Sequence, residues 1–132
     1  MSDAPSPVRV LLADDAAEMR ALLRWALLRG DDGAIEVVGE VSDGGAALQQ
    51  VADLEPDVVV LDLQMPGPPP AELLAAMAQT GVPIITFSGF EPDLVAPREA
   101  RLVALHIPKT TDLPLVRQAI LGVARGDDGR NT

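Results

Sequence analysis

No cysteine occurs in the 132 residues, so disulfides play no part and the chain is compatible with a reducing compartment. No apolar run approaches the roughly 20 residues that a membrane-spanning helix needs. The opening stretch MSDAPSPVRV lacks both a basic and an apolar signal region, so no secretory signal is expected and the expected location is the cytoplasm. Positive charge is scarce too. The formal net charge is −10, and so acidic a surface repels nucleic-acid phosphates and anionic lipid heads; direct binding to either is not expected. Divalent cations and basic partners remain compatible with it. Lysine and histidine each occur once, at Lys109 and His106.

What is present is a globular balance of 48% hydrophobic and 23% charged residues. The length suits a single core and a single domain. That domain is expected over residues 8–125, between a Ser/Pro-rich disordered arm (1–7) and a flexible tail (126–132). Mostly apolar runs predict strands at 8–13 (VRVLLA), 35–40 (IEVVGE), 57–61 (DVVVL), 82–88 (VPIITFS) and 102–107 (LVALHI). Helical spacing predicts helices at 16–30, 44–54, 71–80 and 112–126. In the first, Met19, Leu22, Leu23, Ala26 and Leu27 form the apolar stripe, Trp25 is expected to be partly buried, and Gly30 is the stop. Ser42 or Asp43 is the expected cap of the second. A further helix is expected between the last two strands, short or broken because Pro97 falls inside it.

Strands that alternate with helices, and that are apolar throughout, argue for a parallel sheet covered on both faces. Ligand sites in such sheets lie beyond the carboxyl ends of the strands. The residues there are Asp14 and Asp15, Asp62, Ser88 and Gly89, and Pro108 and Lys109. Taken singly, each has an ordinary role as a helix cap, turn residue or solvated charge. Together they bring carboxylates, a hydroxyl and an ammonium to one edge. Crowded carboxylates repel unless a cation neutralises them, and a hard-oxygen set with room for water suits Mg²⁺. A carboxylate beside such a metal can attack phosphorus, and lysine is a fitting point-charge partner for a phosphoryl group.

These residues stand within VLLADD, PDVVVLDLQMPG, IITFSG and HIPK. In that order and near that spacing, the motifs make residues 8–125 resemble the receiver domain of two-component response regulators, of the chemotaxis-regulator type. The resemblance implies a doubly wound α/β fold with a five-stranded parallel sheet, flavodoxin-like (βα)5, in strand order 2-1-3-4-5. It implies that Asp62 accepts a phosphoryl group from a histidine kinase or phosphotransfer protein. It also implies Mg²⁺ held by Asp14, Asp15, Asp62 and the backbone carbonyl of Gln64. Lys109 and Ser88 would contact the phosphoryl group, and Ser88 and His106 would form the switch. Leu63, Gly89 and Phe90 would line the phosphoryl environment, with the side chains of Gln64 and Phe90 tuning hydrolysis. Signalling would pass by protein contact to a downstream partner, from a monomer or weak homodimer. No enzyme activity is expected beyond self-catalysed phosphotransfer and dephosphorylation.

The chain departs from the family pattern at three places. Pro70 stands where a glycine is usual, with Pro68 and Pro69 before it, so an altered loop path is expected. His106 replaces the usual aromatic switch residue with a polar ring. Thr110 replaces the proline after Lys109, and a trans bond is expected there because a cis bond without proline costs about 2.5–4 kcal/mol. A pseudo-receiver working without phosphate, and a receiver cut from a DNA-binding regulator, are the alternatives. A phosphatase of the haloacid-dehalogenase type is disfavoured, since Gln64 stands where such enzymes carry a second acid.

Overall fold

The computed structural model describes residues 6–29, 33–89 and 101–126. The expected arm up to residue 5, the stop at Gly30, Phe90, the helix around Pro97 and the tail beyond 126 lie outside the described residues. The strands are β1 (Val8–Ala13), β2 (Ile35–Val41), β3 (Val58–Leu61), β4 (Ile84–Ser88) and β5 (Leu105–Pro108). The described helices are α1 (Ala17–Leu28), α2 (Gly44–Leu54), α3 (Pro70–Gln79) and α4 (Leu113–Ala124). All strand pairs are parallel, in the order β2-β1-β3-β4-β5. This is the doubly wound, flavodoxin-like order that the sequence motifs imply.

Alternate strand residues feed two separate cores, which is why the strands read as unbroken apolar runs. Val10, Leu12, Val58, Val60, Ile85, Phe87 and Ile107 pack with Leu23 and Leu27 of α1 and Val116 and Ile120 of α4. Leu11, Ala13, Val59, Leu61 and Ile84 face the other way, onto Ala47 and Val51 of α2 and Leu73, Leu74 and Met77 of α3. With both faces sealed, polar side chains gather at the carboxyl edge of the sheet.

Local signals hold at most helix ends. Asp43 caps α2, accepting from the Ala46 N–H at 2.7 Å; Ser42 does not take the role. Pro70 opens α3 at a position where its missing N–H costs nothing. In the preceding loop Gly67 has a positive φ, 119°. Glu55 ends α2 in the left-handed region, φ 48°. A side chain is disfavoured there and glycine is not. Glu55→Gly is expected to raise stability by about 0.5 kcal/mol in urea unfolding, the remainder after glycine's greater unfolded-state entropy. Glu55→Ala is expected to bring no gain.

Two expectations are corrected. The last strand was predicted at 102–107 but spans Leu105–Pro108, because β4 begins only at Ile84, whose carbonyl accepts from the Ala104 N–H; Leu102 and Val103 precede that first contact. Trp25 is not partly buried but 57% exposed, since α1 turns Leu23, Ala26 and Leu27 inward and leaves Leu22 and Trp25 outside. Its ring carries the Arg29 guanidinium 4.6 Å from its centroid. Neither Asp14 nor Asp15 caps α1 with its side chain; Ala16 is the N-cap residue.

Candidate functional site

The polar strand ends are fixed by continuing the sheet's hydrogen bonding one residue further. Asp14 N–H donates to the Val41 carbonyl at 3.0 Å and Asp62 N–H to the Ala13 carbonyl at 2.9 Å. Lys109 N–H donates to the Ser88 carbonyl at 3.0 Å. Strand pairing therefore sets how the acids and the lysine stand to one another.

Asp14 and Asp62 are only 2% and 3% exposed. The Lys109 ammonium bridges them, with Nζ 2.9 Å from Asp14 Oδ2 and 3.3 Å from Asp62 Oδ2. Each carboxylate spends its other oxygen on a local amide. Ala16 N–H donates to Asp14 Oδ1 and Gln64 N–H to Asp62 Oδ1, both at 2.9 Å. Asp15 is exposed, yet ligand atoms of Asp14, Asp15 and Asp62 all lie within 4.8 Å of one another. One ammonium faces this set of acids, so negative charge is in excess. Asp14 Oδ2 is buried and, apart from its ion pair with Lys109, has no hydrogen-bond partner among the described residues. An under-satisfied buried carboxylate oxygen beside two further acids fits a hard divalent cation such as Mg²⁺.

The electrostatics follow the same imbalance. Burial pushes the Asp62 carboxyl above its ordinary value; the Gln64 amide and Lys109 pull it down, Asp14 pushes it up, and the net direction is upward. Partial burial lowers Lys109, but its close contact with Asp14 and the fields of Asp62 and Asp14 outweigh it and hold the ammonium above its usual range. A carboxyl whose folded pKa is raised favours the fold when protonated and opposes it when charged. Asp62→Asn is therefore expected to raise the melting temperature of metal-free protein by a few degrees at neutral pH. That advantage is expected to shrink as pH falls through the raised Asp62 pKa toward 3.8. Calorimetry across pH in chelator measures it.

Ser88 is fully buried at the end of β4, and Gly89 beside it is exposed. Leu63 is buried in the α2–α3 core. Gln64 has its amide on Asp62 and its residue exposed. His106 does not point to solvent. Its ring Nδ1 lies 2.7 Å from Oγ1 of Thr86, its partner across β4 and β5, and the two share a hydrogen bond. Among the described residues no peptide bond is cis, so Lys109–Thr110 is trans as expected.

Arg20, which the sequence did not single out, also belongs here. Its Nη1 donates to the Asp14 carbonyl at 2.6 Å, and its Nε lies 3.5 Å from Glu40 of β2. It ties the first turn of α1 to the acidic edge. Six residues from Asp14 and without a motif, it leaves no sequence signal.

The family comparison agrees with this geometry. Residues 10–120 match the response regulator receiver domain. The chain belongs to that family. Protein-glutamate methylesterase/protein-glutamine glutaminase 5 of Myxococcus xanthus is 41% identical over 122 residues, covering 89% of this receiver and 34% of that protein. The signal receiver domain of the response regulator NarL from Mycobacterium tuberculosis superposes with TM-score 0.81 at 31% identity, covering 92% of this chain and 99% of that one. The response regulator domain of Thermotoga maritima CheB gives TM-score 0.73 at 25% identity, covering 96% and 99%. The receiver spans 34%, 23% and 22% of the lengths of three methylesterase relatives. Among the described residues no helix is long and apolar enough to cross a membrane.

Proposed function

We propose that this receiver accepts a phosphoryl group on Asp62 from the phosphohistidine of a histidine kinase or phosphotransfer protein, and signals through protein contacts. One observation carries the reading. Asp62 is buried and oriented at the sheet edge by the Gln64 amide and the Lys109 ammonium, next to Asp14 and Asp15. A carboxylate oxygen of Asp62 forms the new bond to phosphorus as the donor's P–N bond breaks, and the electron pair leaves on the imidazole nitrogen.

Asp14, Asp15, Asp62 and the backbone carbonyl of Gln64 are the residues that would hold Mg²⁺. When bound, it supplies positive charge for the phosphoryl oxygens and the crowded acids. Lys109 offsets charge on the transferred group, and its short reach to both acids keeps it beside the acceptor. Ser88 supplies a hydroxyl to the phosphoryl group, with Gly89 leaving space for the approach. His106 is the switch residue, and its hydrogen bond to Thr86 holds the ring in place before the signal arrives. Gln64, exposed beside Asp62, is the remaining neighbour of the phosphoryl group, whereas Leu63 is sunk in the core between α2 and α3.

Beryllofluoride mimics a phosphoryl group on a carboxylate. Mg²⁺ and beryllofluoride together are expected to raise the wild-type melting temperature by several degrees, more than either alone. Asp62→Asn is expected to show no such synergy. A wild type indifferent to the combination contradicts the proposal.

A second reading, a receiver working as one part of a longer regulator, is favoured by the relatives' greater length. Extending the reading frame of the encoding gene tests it directly: an output domain in the same frame supports it and its absence rejects it.

A further inference from the structure

The loop that follows Asp62 is held at both ends. At the near end Gln64 N–H donates to Asp62 Oδ1 and Leu63 is sunk in the core. At the far end the N–H of Gly44, the first residue of α2, donates to the Pro66 carbonyl at 2.9 Å. Contact there is backbone against backbone. A Cβ on Gly67, at φ 119°, would lie 3.1 Å from the Gly44 nitrogen. A Cβ on Gly44 would lie 3.1 Å from Pro68 Cδ and 3.2 and 3.3 Å from the Leu73 methyls.

We propose that Gly44 is a positioning residue for the phosphoryl-acceptor loop: its missing side chain lets the loop seat on α2, which sets where Gln64 stands beside Asp62. The inference rests on the acceptor reading of Asp62. Transmission follows from the loop's composition. Pro66, Pro68, Pro69 and Pro70 have fixed φ, which leaves few torsions, chiefly those of Gly67, to absorb a displacement at Pro68. Leu73 is buried under α2 and α3 and cannot swing away freely. A push of a few tenths of an ångström at position 44 therefore moves the loop as a unit. Gly45 supplies the contrast. It also lies in the first turn of α2, but it is exposed, and its Cβ would meet only Asp43 Oδ1, at 3.4 Å.

Gly44→Ala and Gly45→Ala both add a helix-favouring methyl to the same turn, so they separate loop placement from helix stability. The rate of adduct formation with acetyl phosphate and Mg²⁺ is followed by intact mass, and the Gln64 and Met65 amides by ¹H–¹⁵N spectra without donor. Gly44→Ala is expected to slow adduct formation about tenfold and Gly45→Ala to stay within about twofold of wild type. The Gln64 and Met65 amide shifts are expected to move only in Gly44→Ala. Adding Pro68→Ala to Gly44→Ala removes one of the groups in the way, the Leu73 methyls remaining, and is expected to recover part of the rate and to return the Gln64 and Met65 amide shifts part of the way to wild type. Equal rates and equal spectra in the two single variants overturn the inference, as does a double variant no faster than Gly44→Ala. A wild type that takes no adduct overturns the acceptor reading instead, and the amide shifts then decide the loop claim alone.

Discussion

Lys109→Ala is expected to lower the stability of the metal-free receiver by about 3 kcal/mol, the lower edge for removing one partner of a buried ion pair. The lower edge applies because Lys109 is 23% exposed while its partners are 2% and 3% exposed. Without the ammonium, Asp14 and Asp62 face each other in a site where both are buried. The pKa of Lys109 is raised above 10.5 in the fold. Its stabilisation is therefore fully present at neutral pH and fades only as pH rises through that higher value. The variant should also bind Mg²⁺ more tightly than wild type, since the ammonium no longer competes for the same oxygens. Saturating Mg²⁺, at about a hundred times Kd, returns about 2.7 kcal/mol, most of the loss. Urea unfolding with chelator and with Mg²⁺ reads both effects. A loss well under 1 kcal/mol in chelator would show that solvent already screens the acids from each other.

The second large effect concerns the metal. Asp14→Asn keeps the shape of the side chain and can still accept from the Ala16 N–H, but it gives up the charge on Oδ2, which is paired only with Lys109. Mg²⁺ affinity is expected to fall roughly 10- to 100-fold, the range for losing one supporting group of a metal site. Phosphoryl transfer at limiting Mg²⁺ is expected to fall in parallel and to recover at high Mg²⁺. Calorimetric titration measures the first and intact mass at graded Mg²⁺ the second. Unchanged affinity would remove Asp14 from the metal set.

Much of this site was legible because its parts sit at strand ends, and strand ends can be read from apolar runs. Asp14, Asp15, Asp62, Ser88 and Lys109 each close such a run, and parallel pairing brings them to one edge. What depends on three-dimensional contact was not legible. Trp25 falls within an apolar stretch, yet the rotation of α1 on the sheet leaves it outside. Leu102 and Val103 have strand-like side chains but no partner on β4. The Thr86–His106 bond needs β4 and β5 in register, and the seating of Gly44 under Gly67 joins residues 23 apart with no motif between them. Pro70 is instructive in the other direction. It replaces a family glycine, but the chain uses it to begin α3, and the loop before it carries its positive φ at Gly67.

The central claim is that Asp62 takes the phosphoryl group. Its most direct test is intact mass spectrometry of wild type and Asp62→Asn after incubation with acetyl phosphate and Mg²⁺. A single phosphoryl adduct is expected on the wild type, abolished by chelator and absent from Asp62→Asn. An adduct of equal yield on Asp62→Asn, or none on a wild type shown to bind Mg²⁺, would contradict it.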